Sequence, residues 1–129
     1  MTEQTCTCPY SPYDPAHYAH DPANFPVLRT ISLLRQQGEK IVFLSGREDI
    51  GTNRAVTSQA LARLGFVQEP LIMRKKGDQR NDGVIKQELF NEFVAPHYNV
   101  RLVLDDRTLV VKAWRSRGIP CWQVAPGDF

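Results

Sequence analysis

The sequence predicts an α/β domain built on a parallel sheet of about four short strands with flanking helices. Short apolar runs alternate along the chain with longer segments in which apolar residues recur at helical spacing. Glycine closes two of these longer segments, at Gly38 and Gly65, as it commonly does at helix ends. Helices that alternate with short apolar strands are typical of a parallel sheet with right-handed crossovers.

Composition narrows the class of protein further. The chain has 129 residues, enough for one domain, and a formal net charge of +2, too small to indicate nucleic-acid binding by itself. No apolar stretch approaches the roughly 20 residues of a membrane span, and the polar start is no signal peptide. The odd count of three cysteines argues against a secreted disulfide framework. We therefore expect a cytoplasmic protein without a membrane partner.

The first 26 residues differ from the rest of the chain. Residues 8–26 contain five prolines and no periodic apolar pattern. This composition predicts a Pro-rich arm over 1–26 that precedes a folded domain over 27–129.

The elements of that domain follow in order from spacing and end signals. Asp82 is expected to be the N-cap of a helix whose apolar stripe includes Val84, Ile85 and Phe93. The predicted helices cover 27–38, 52–65, 83–94 and 106–118, and the predicted strands cover 40–46, 70–73, 99–105 and 119–125.

Polar residues stand where two of these strands end. Ser45 and Gly46 close the first strand, and the acid pair, Asp105 and Asp106, closes the third. In parallel α/β sheets, ligands bind beyond the carboxyl ends of the strands. We therefore interpret the two strand ends together, as parts of one site.

The residue types at these ends suit a divalent ion and a phosphoryl group. Two adjacent carboxylates repel unless a cation lies between them, and Mg²⁺ accepts one or two carboxylates together with a phosphate. Ser45 can donate a hydrogen bond to phosphate, Gly46 allows close backbone approach, and Arg47 offers a planar donor fork. Lys86, in the helix that begins near Asp82, could add a positive charge.

Each feature also has a simpler structural interpretation. The acid pair could cap the following helix, and Ser45 with Gly46 could be an ordinary exit from a strand. Arg47 could pair on the surface with Glu48 or Asp49, and Asp82 with Lys86 could form a helical i, i+4 pair. Each feature alone is therefore ambiguous, and the interpretation as a phosphate and metal site depends on all of them occurring together.

Jointly they resemble a known family. The similarity is carried by four segments: SGRE (45–48), GDQRNDGVIKQELF (77–90), APHYNVRLVLDDRT (95–108) and GIPCWQVAPGDF (118–129). Through them the chain from Tyr13 onward resembles the phosphatase domain of bacteriophage-type polynucleotide 5′-kinase/3′-phosphatases, members of the haloacid dehalogenase (HAD) superfamily.

The resemblance implies a HAD-like, Rossmann-like fold and a Mg²⁺-dependent phosphatase for the 3′-phosphates of nucleic-acid ends or nucleotides. By position it implies that Ser45, Gly46 and Arg47 bind the phosphate and that Lys86 neutralises it. Asp82 would lie nearby as a further catalytic residue, and the acid pair would hold the metal. Arg80 and Arg107 also match family positions without an implied role.

One part of the family pattern is missing. HAD phosphatases carry Asp-x-Asp-Gly-Thr at the end of a leading central strand, where the first Asp is the nucleophile and the second is the general acid–base. These 129 residues contain no Asp-x-Asp, and Tyr10 stands where the family has a substrate-contacting arginine. The resemblance therefore implies a gap in the sheet between the strand that ends at Ser45 and the strand that ends at Asp105.

Several ways of closing that gap are open. A partner chain or a second copy could donate a strand, the two strands could pair directly, or the missing part could be encoded elsewhere. Two substitutes for the nucleophile are weakly supported. Asp14 lies in the Pro-rich arm, and no anion-binding turn follows the thiols of Cys6 and Cys8. Whether the chain is an enzyme by itself is left open, and the alternative is a phosphate-binding pseudo-phosphatase or a subunit of a larger assembly.

The arm also raises the possibility of zinc. Its C-x-C and H-x-x-H pairs, Cys6 with Cys8 and His17 with His20, offer two thiolates and two imidazoles. Zinc sites usually space their cysteines more widely, so a flexible arm with reduced thiols is the competing interpretation.

Overall fold

The computed structural model of the protein describes residues 25–128. These residues form four α-helices and four strands that alternate as predicted, which confirms the α/β class. In chain order the elements are α1 (Phe25–Gln36), β1 (Phe43–Glu48), α2 (Gly51–Arg63), β2 (Leu71–Arg74), α3 (Asp82–Leu89), β3 (Val103–Asp105), α4 (Thr108–Ser116) and β4 (Cys121–Gln123).

The strands are hydrogen-bonded in two pairs. β1 is paired with β2, and β3 with β4. The second pair is parallel, with Val103 opposite Cys121 and Asp105 opposite Gln123. Within residues 25–128, each strand therefore has one hydrogen-bonded neighbour. The division falls between the strands that the sequence places on either side of a missing one, and the gap itself stays a prediction.

The chain divides into two compact units, each with its own contacts. Of the described residues, the first unit contains 25–43 and 47–71, and the second unit contains 44–46 and 72–128. In the first unit the ring of Phe43 packs edge-on against Phe66, with centroids 5.2 Å apart. Arg35 lies over the same Phe66 ring and forms a 2.6 Å ion pair with Glu69.

The second unit is built around a tightly packed apolar core. Trp114 of α4 is 1% exposed and packs edge-on against Phe90 at 5.1 Å. Ile85 of α3 and the two valines of α4, Val110 and Val111, are also almost completely buried. Because α3 and α4 share this core, the residues at their amino-terminal ends are held in fixed positions.

Two predictions about α3 were wrong. The N-cap is Asn81, whose side chain accepts a 2.7 Å bond from the Gly83 amide, and Asp82 is the first residue of the helix. The predicted apolar stripe is also narrower, because Val84 and Phe93 are 48% and 41% exposed. After Leu89 the chain continues as a π-helical segment, Phe90–Val94. Its wider turn buries Val94 and leaves Phe93 exposed.

The strand boundaries also differ from the prediction. β1 continues to Glu48, so Ser45 and Gly46 lie inside the strand, while β3 and β4 are shorter than the apolar runs that predicted them. The glycine stops are confirmed, since Gly38 and Gly65 have φ of +92° and +91°, a region that favours glycine.

Candidate functional site

The site begins where β1 meets the start of α3 in the second unit. A Cβ atom at Gly46 would lie 2.1 Å from Oδ1 of Asp82, far inside van der Waals contact. Only glycine therefore allows this approach of strand to carboxylate. The contact places Gly46, inside β1, beside the first residue of α3.

Asp82 is held by two arginines. Arg74, the last residue of β2, pairs with its Oδ1 at 3.0 Å, and Arg107 approaches its Oδ2 at 3.6 Å. The Arg74 guanidinium also donates to the Gly46 carbonyl at 2.7 Å. Since the Asp82 side chain is only 9% exposed, these cations compensate a carboxylate that has lost most of its water.

Lys86 connects Asp82 to the acid pair. Its ammonium group lies 2.9 Å from Oδ2 of Asp105 and 3.9 Å from Oδ2 of Asp82, and its side chain is 11% exposed. The pair of Asp82 with Lys86 thus exists, as the simpler helical interpretation expects. The shorter bond, however, joins α3 to the end of β3, so Lys86 bridges two elements of the site.

The acid pair lies at the turn between β3 and α4. Oδ1 of Asp105 accepts bonds from the amides of Asp106 at 2.9 Å and of Arg107 at 3.3 Å. Burial raises the pKa of the Asp106 carboxyl, and the neighbouring charge of Asp105 raises it further. The N-cap of α4 is Arg107, without a side-chain capping bond, so neither acid occupies that position.

The charges of this cluster balance. Ion pairs join three cations, Arg74, Lys86 and Arg107, to Asp82 and Asp105, and Asp106 adds a third carboxylate next to Asp105. A phosphate dianion alone would upset this balance, and so would a divalent cation alone. The two together add no net charge, so the cluster suits an ion-bound phosphate better than either partner separately.

The cluster could hold a divalent ion at the acid pair. Burial and, after it, the charge of Asp105 raise the pKa of Asp106. A cation would relieve the repulsion between the two carboxylates, and Mg²⁺ needs only one or two carboxylates from the protein. Among residues 25–128 there is no group of three or more Asp, Glu, His or Cys arranged to hold a metal. The zinc candidates, Cys6, Cys8, His17 and His20, and the alternative nucleophile Asp14 lie outside the described residues, as does Tyr10.

The predicted phosphate-binding residues divide between the units. Ser45 and Gly46 belong to the second unit, together with Asp82, Lys86 and the acid pair. Arg47 belongs to the first unit, where its guanidinium donates to Oγ1 of Thr57 at 3.2 Å. Asp49 is paired there with Arg54 at 2.7 Å.

Sequence analysis missed Arg74. Besides Asp82 and Gly46, its guanidinium reaches the carbonyls of Asp78 and Arg80, at 3.1 and 2.8 Å, and so fixes the loop before α3. The available signal was an arginine at the end of the short apolar strand LIMR. Arg107, which had no predicted role, contributes the second cation beside Asp82.

A glycine of β1 that approaches a carboxylate closely, a buried lysine and an acid pair at the end of β3 make up a charged site in an α/β domain. The sequence profile of the polynucleotide kinase PNKP phosphatase domain, a HAD-type domain, matches residues 7–129. The chain therefore belongs to the PNKP phosphatase-domain family, and the predicted resemblance is confirmed.

Individual relatives agree with this assignment. A protein of Autographa californica nuclear polyhedrosis virus that carries the name bifunctional polynucleotide kinase/RNA ligase is 32% identical over 103 residues, which are 79% of this chain and 15% of that protein. Chains in two solved structures of Pnkp1/Rnl/Hen1 complexes, one described as an RNA repair complex, are 39% identical with TM-scores of 0.86. The match covers 94% of this chain but only 39% and 41% of those chains. The HAD-like fold is thereby confirmed.

Proposed function

We propose that this chain supplies the phosphate- and ion-binding part of a phosphatase site for 3′-phosphorylated nucleic-acid ends or nucleotides. The observation that supports the proposal most is the charge-balanced cluster around Lys86, which joins α3 to the acid pair through a 2.9 Å bond. Family membership supports the phosphoryl chemistry, and the relatives named for polynucleotide kinases support nucleic-acid ends as the substrate class.

In this proposal each residue type has a defined task. Ser45, the Gly46 backbone and Arg47 donate hydrogen bonds to phosphate oxygens, and Lys86 neutralises their charge. Asp82, fixed by Arg74, keeps Lys86 in place at its 3.9 Å contact. Such fixed donors stabilise the charge on a phosphoryl group without reorganising during the reaction.

Mg²⁺ is the proposed cofactor, held by Asp105 and Asp106. When bound, it would polarise the phosphoryl oxygens and lower the charge that an incoming nucleophile meets. The hydrogen bonds from the Asp106 and Arg107 amides to Asp105 fix one carboxylate oxygen, and the other oxygen faces Lys86. The chain thus orients the Asp105 carboxylate before any ion arrives.

The nucleophile is assigned to a polypeptide segment outside these 129 residues, because the sequence contains no Asp-x-Asp. Each described strand has one hydrogen-bonded neighbour, which leaves an edge where a further strand could pair. A second copy of the chain or a different protein could supply that strand. The relatives found in a multi-protein RNA repair complex support a partner of this kind.

The same absence favours a second candidate function, a phosphate-binding domain without turnover. Loss of a covalent nucleophile commonly costs several orders of magnitude in rate, about 10⁶ in a serine protease. The binding residues would persist in such a domain, since they do not depend on the nucleophile.

Two assays on the purified chain test the proposal. Isothermal calorimetry with Mg²⁺ should show binding of a 3′-phosphorylated oligonucleotide, weakened by Arg47→Ala, and no comparable binding of its 3′-hydroxyl counterpart. Phosphate release from the same oligonucleotide should appear only when the nucleophile segment is supplied, and Asp105→Asn should abolish it. Equal binding of the two oligonucleotides would contradict the proposal, and tight binding without release under any condition would select the second candidate.

A further inference from the structure

The loop that carries the acid pair is held by the chain segment that begins at the last residue of β4 and continues beyond it. We propose that residues 123–128, here called the clamp, position Asp105 and Asp106 for ion binding, and that Gly127 is the positioning residue on which this depends. The inference rests on the proposed function, because it assigns a role to the clamp in the same ion site.

The first half of the clamp holds the end of β3. The amide of Val124 donates to the Asp105 carbonyl at 3.1 Å, and Nε2 of Gln123 donates to the Asp106 carbonyl at 3.0 Å. The same Nε2 also donates to Oγ1 of Thr108 at 3.0 Å. The backbone of both acids is therefore fixed at the end of β3.

The second half of the clamp holds the start of α4. Because the N-cap Arg107 makes no side-chain capping bond, the first amides of this helix need other acceptors. The Thr108 amide donates to the Gly127 carbonyl at 2.8 Å, and the Thr108 hydroxyl donates to Oδ1 of Asp128 at 2.8 Å. The clamp thus supplies from a distance the cap that the local sequence lacks.

Gly127 closes the clamp by direct contact. A Cβ atom there would lie 1.9 Å from the Asp106 carbonyl oxygen and 2.8 Å from the Arg107 Cα. Its φ is not positive, so alanine could adopt the same backbone and the only obstacle is this approach. Both neighbours are backbone atoms, so a methyl group must displace the clamp or the acid loop.

Displacement of the loop should act on the ion site. Asp106 carries both the carbonyl that touches Gly127 and one of the two proposed ion-binding carboxylates. Groups that orient metal ligands typically contribute a factor of about 10 to 100 in metal affinity. The clamp is therefore expected to matter for ion binding beyond any contribution to stability.

The test compares Gly127→Ala with Gly51→Ala in the full chain. Gly51 has nothing within 4 Å of its Cβ position and no positive φ, so it controls for the glycine-to-alanine change itself. With Mn²⁺ as the probe, titrated by calorimetry and electron paramagnetic resonance, Gly127→Ala should weaken the affinity about tenfold or more, and the control should not change it. Unchanged Mn²⁺ affinity in a folded Gly127→Ala chain, even with a lower melting temperature, would overturn the proposal.

A second readout separates failure of the clamp from failure of the proposed function. Hydrogen exchange at the Thr108 amide should be slow in the wild type and faster in Gly127→Ala. If the wild type binds no Mn²⁺, the proposed function fails, and slow exchange that the variant accelerates still supports the clamp. Fast exchange in the wild type overturns the clamp.

A second variant covers the case in which Gly127→Ala does not fold. Gln123→Ala adds no atoms and removes the bond to Asp106, so it should weaken Mn²⁺ binding. An unaltered affinity would overturn the inference.

Discussion

The second unit buries an apolar core and a charge cluster side by side, whereas the first unit buries little of either. Among residues 25–128, the first unit contributes Phe66 to the buried apolar set, and the second contributes the remaining nine: Met73, Ile85, Leu89, Phe90, Val94, Val110, Val111, Trp114 and Cys121. The ion pair Asp49–Arg54 in the first unit is about 40% exposed on both sides, and Lys86–Asp105 in the second is about 10% exposed.

The difference shows what a buried charge requires. A charge that has lost its water is tolerated only when its partners are fixed in place, and fixed partners need a packed scaffold. Ile85 anchors α3 in the core one residue before Lys86 enters the cluster. The core of the second unit thus determines the geometry of the site, and the surface pairs of the first unit contribute little to stability.

Truncation of a core side chain in the second unit should have the largest effect on stability. Trp114→Ala deletes a side chain that is 1% exposed and leaves Phe90 without its edge-on partner, so we expect a loss of about 4 kcal/mol in unfolding free energy. Urea denaturation followed by circular dichroism measures this loss. Leu33→Ala in α1, where half the side chain is exposed, is the matched control and should cost far less. Similar losses for the two would remove the contrast between the units.

Disruption of the charge cluster should come next. Lys86→Met keeps an unbranched side chain one atom shorter but leaves Asp105 without its 2.9 Å partner, at an expected cost of about 3 kcal/mol. Lys75→Met, whose pair with Glu92 is more than half exposed on both sides, should change stability by about 0.5 kcal/mol or less. The measurement is again urea denaturation, and equal effects of the two substitutions would show that the cluster is as solvated as the surface.

The close approach of β1 to α3 predicts a smaller loss. Gly46→Ala places a methyl group 2.1 Å from Oδ1 of Asp82, and overpacking of this kind costs about 2 kcal/mol. Gly51→Ala in the first unit, where space is open, should be neutral or slightly stabilising, because alanine favours the helix that begins there. Thermal unfolding of both variants gives the comparison. An unchanged melting temperature in Gly46→Ala would mean that the site does not need the close approach of Gly46 to Asp82.

The smallest effect is expected from pH at the exposed loop before α3. A hydrogen bond from Arg80 holds the pKa of Asp78 at about 2, below its ordinary value of 3.8. Because the pKa is lowered by folding, the pair contributes fully above the ordinary value and is lost as the pH falls toward about 2. The carboxyl resonance of Asp78 should titrate near pH 2 in the wild type and at a higher pH in Arg80→Gln, where the backbone amide of residue 80 and the charge of Arg74 still lower the pKa. Equal midpoints in both proteins would contradict the pairing.

The sequence predicted the fold class and the order of elements because these depend on local periodicity and on glycine stops such as Gly38 and Gly65. It predicted the strand limits poorly, since hydrogen bonding to a neighbour, which carries β1 on to Glu48, is invisible in a single strand. Phe93 is exposed because the chain forms a π turn there, and the spacing of apolar residues in the sequence does not reveal such a turn.

For the site, the sequence pointed to residues whose chemistry is explicit at the predicted strand ends, Ser45, Gly46, Asp105 and Asp106, and their roles stay predictions. It did not identify those that act by holding others. Arg74 and Gly127 matter through contacts with residues distant in the chain, at Asp82 and Asp106, and only the fold brings these together. The roles of Arg47 and of Lys86 in phosphate binding stay predictions.

The charge balance of the cluster leads to the most direct test. An ion and a phosphate that together leave the cluster neutral should each strengthen the binding of the other, and by equal factors. Calorimetric titration of a 3′-phosphorylated oligonucleotide into the chain should show affinity at least about tenfold higher with Mg²⁺ than without it, a coupling that Lys86→Met reduces. An oligonucleotide affinity that is the same with and without Mg²⁺ would contradict the assignment of this cluster to an ion-bound phosphate.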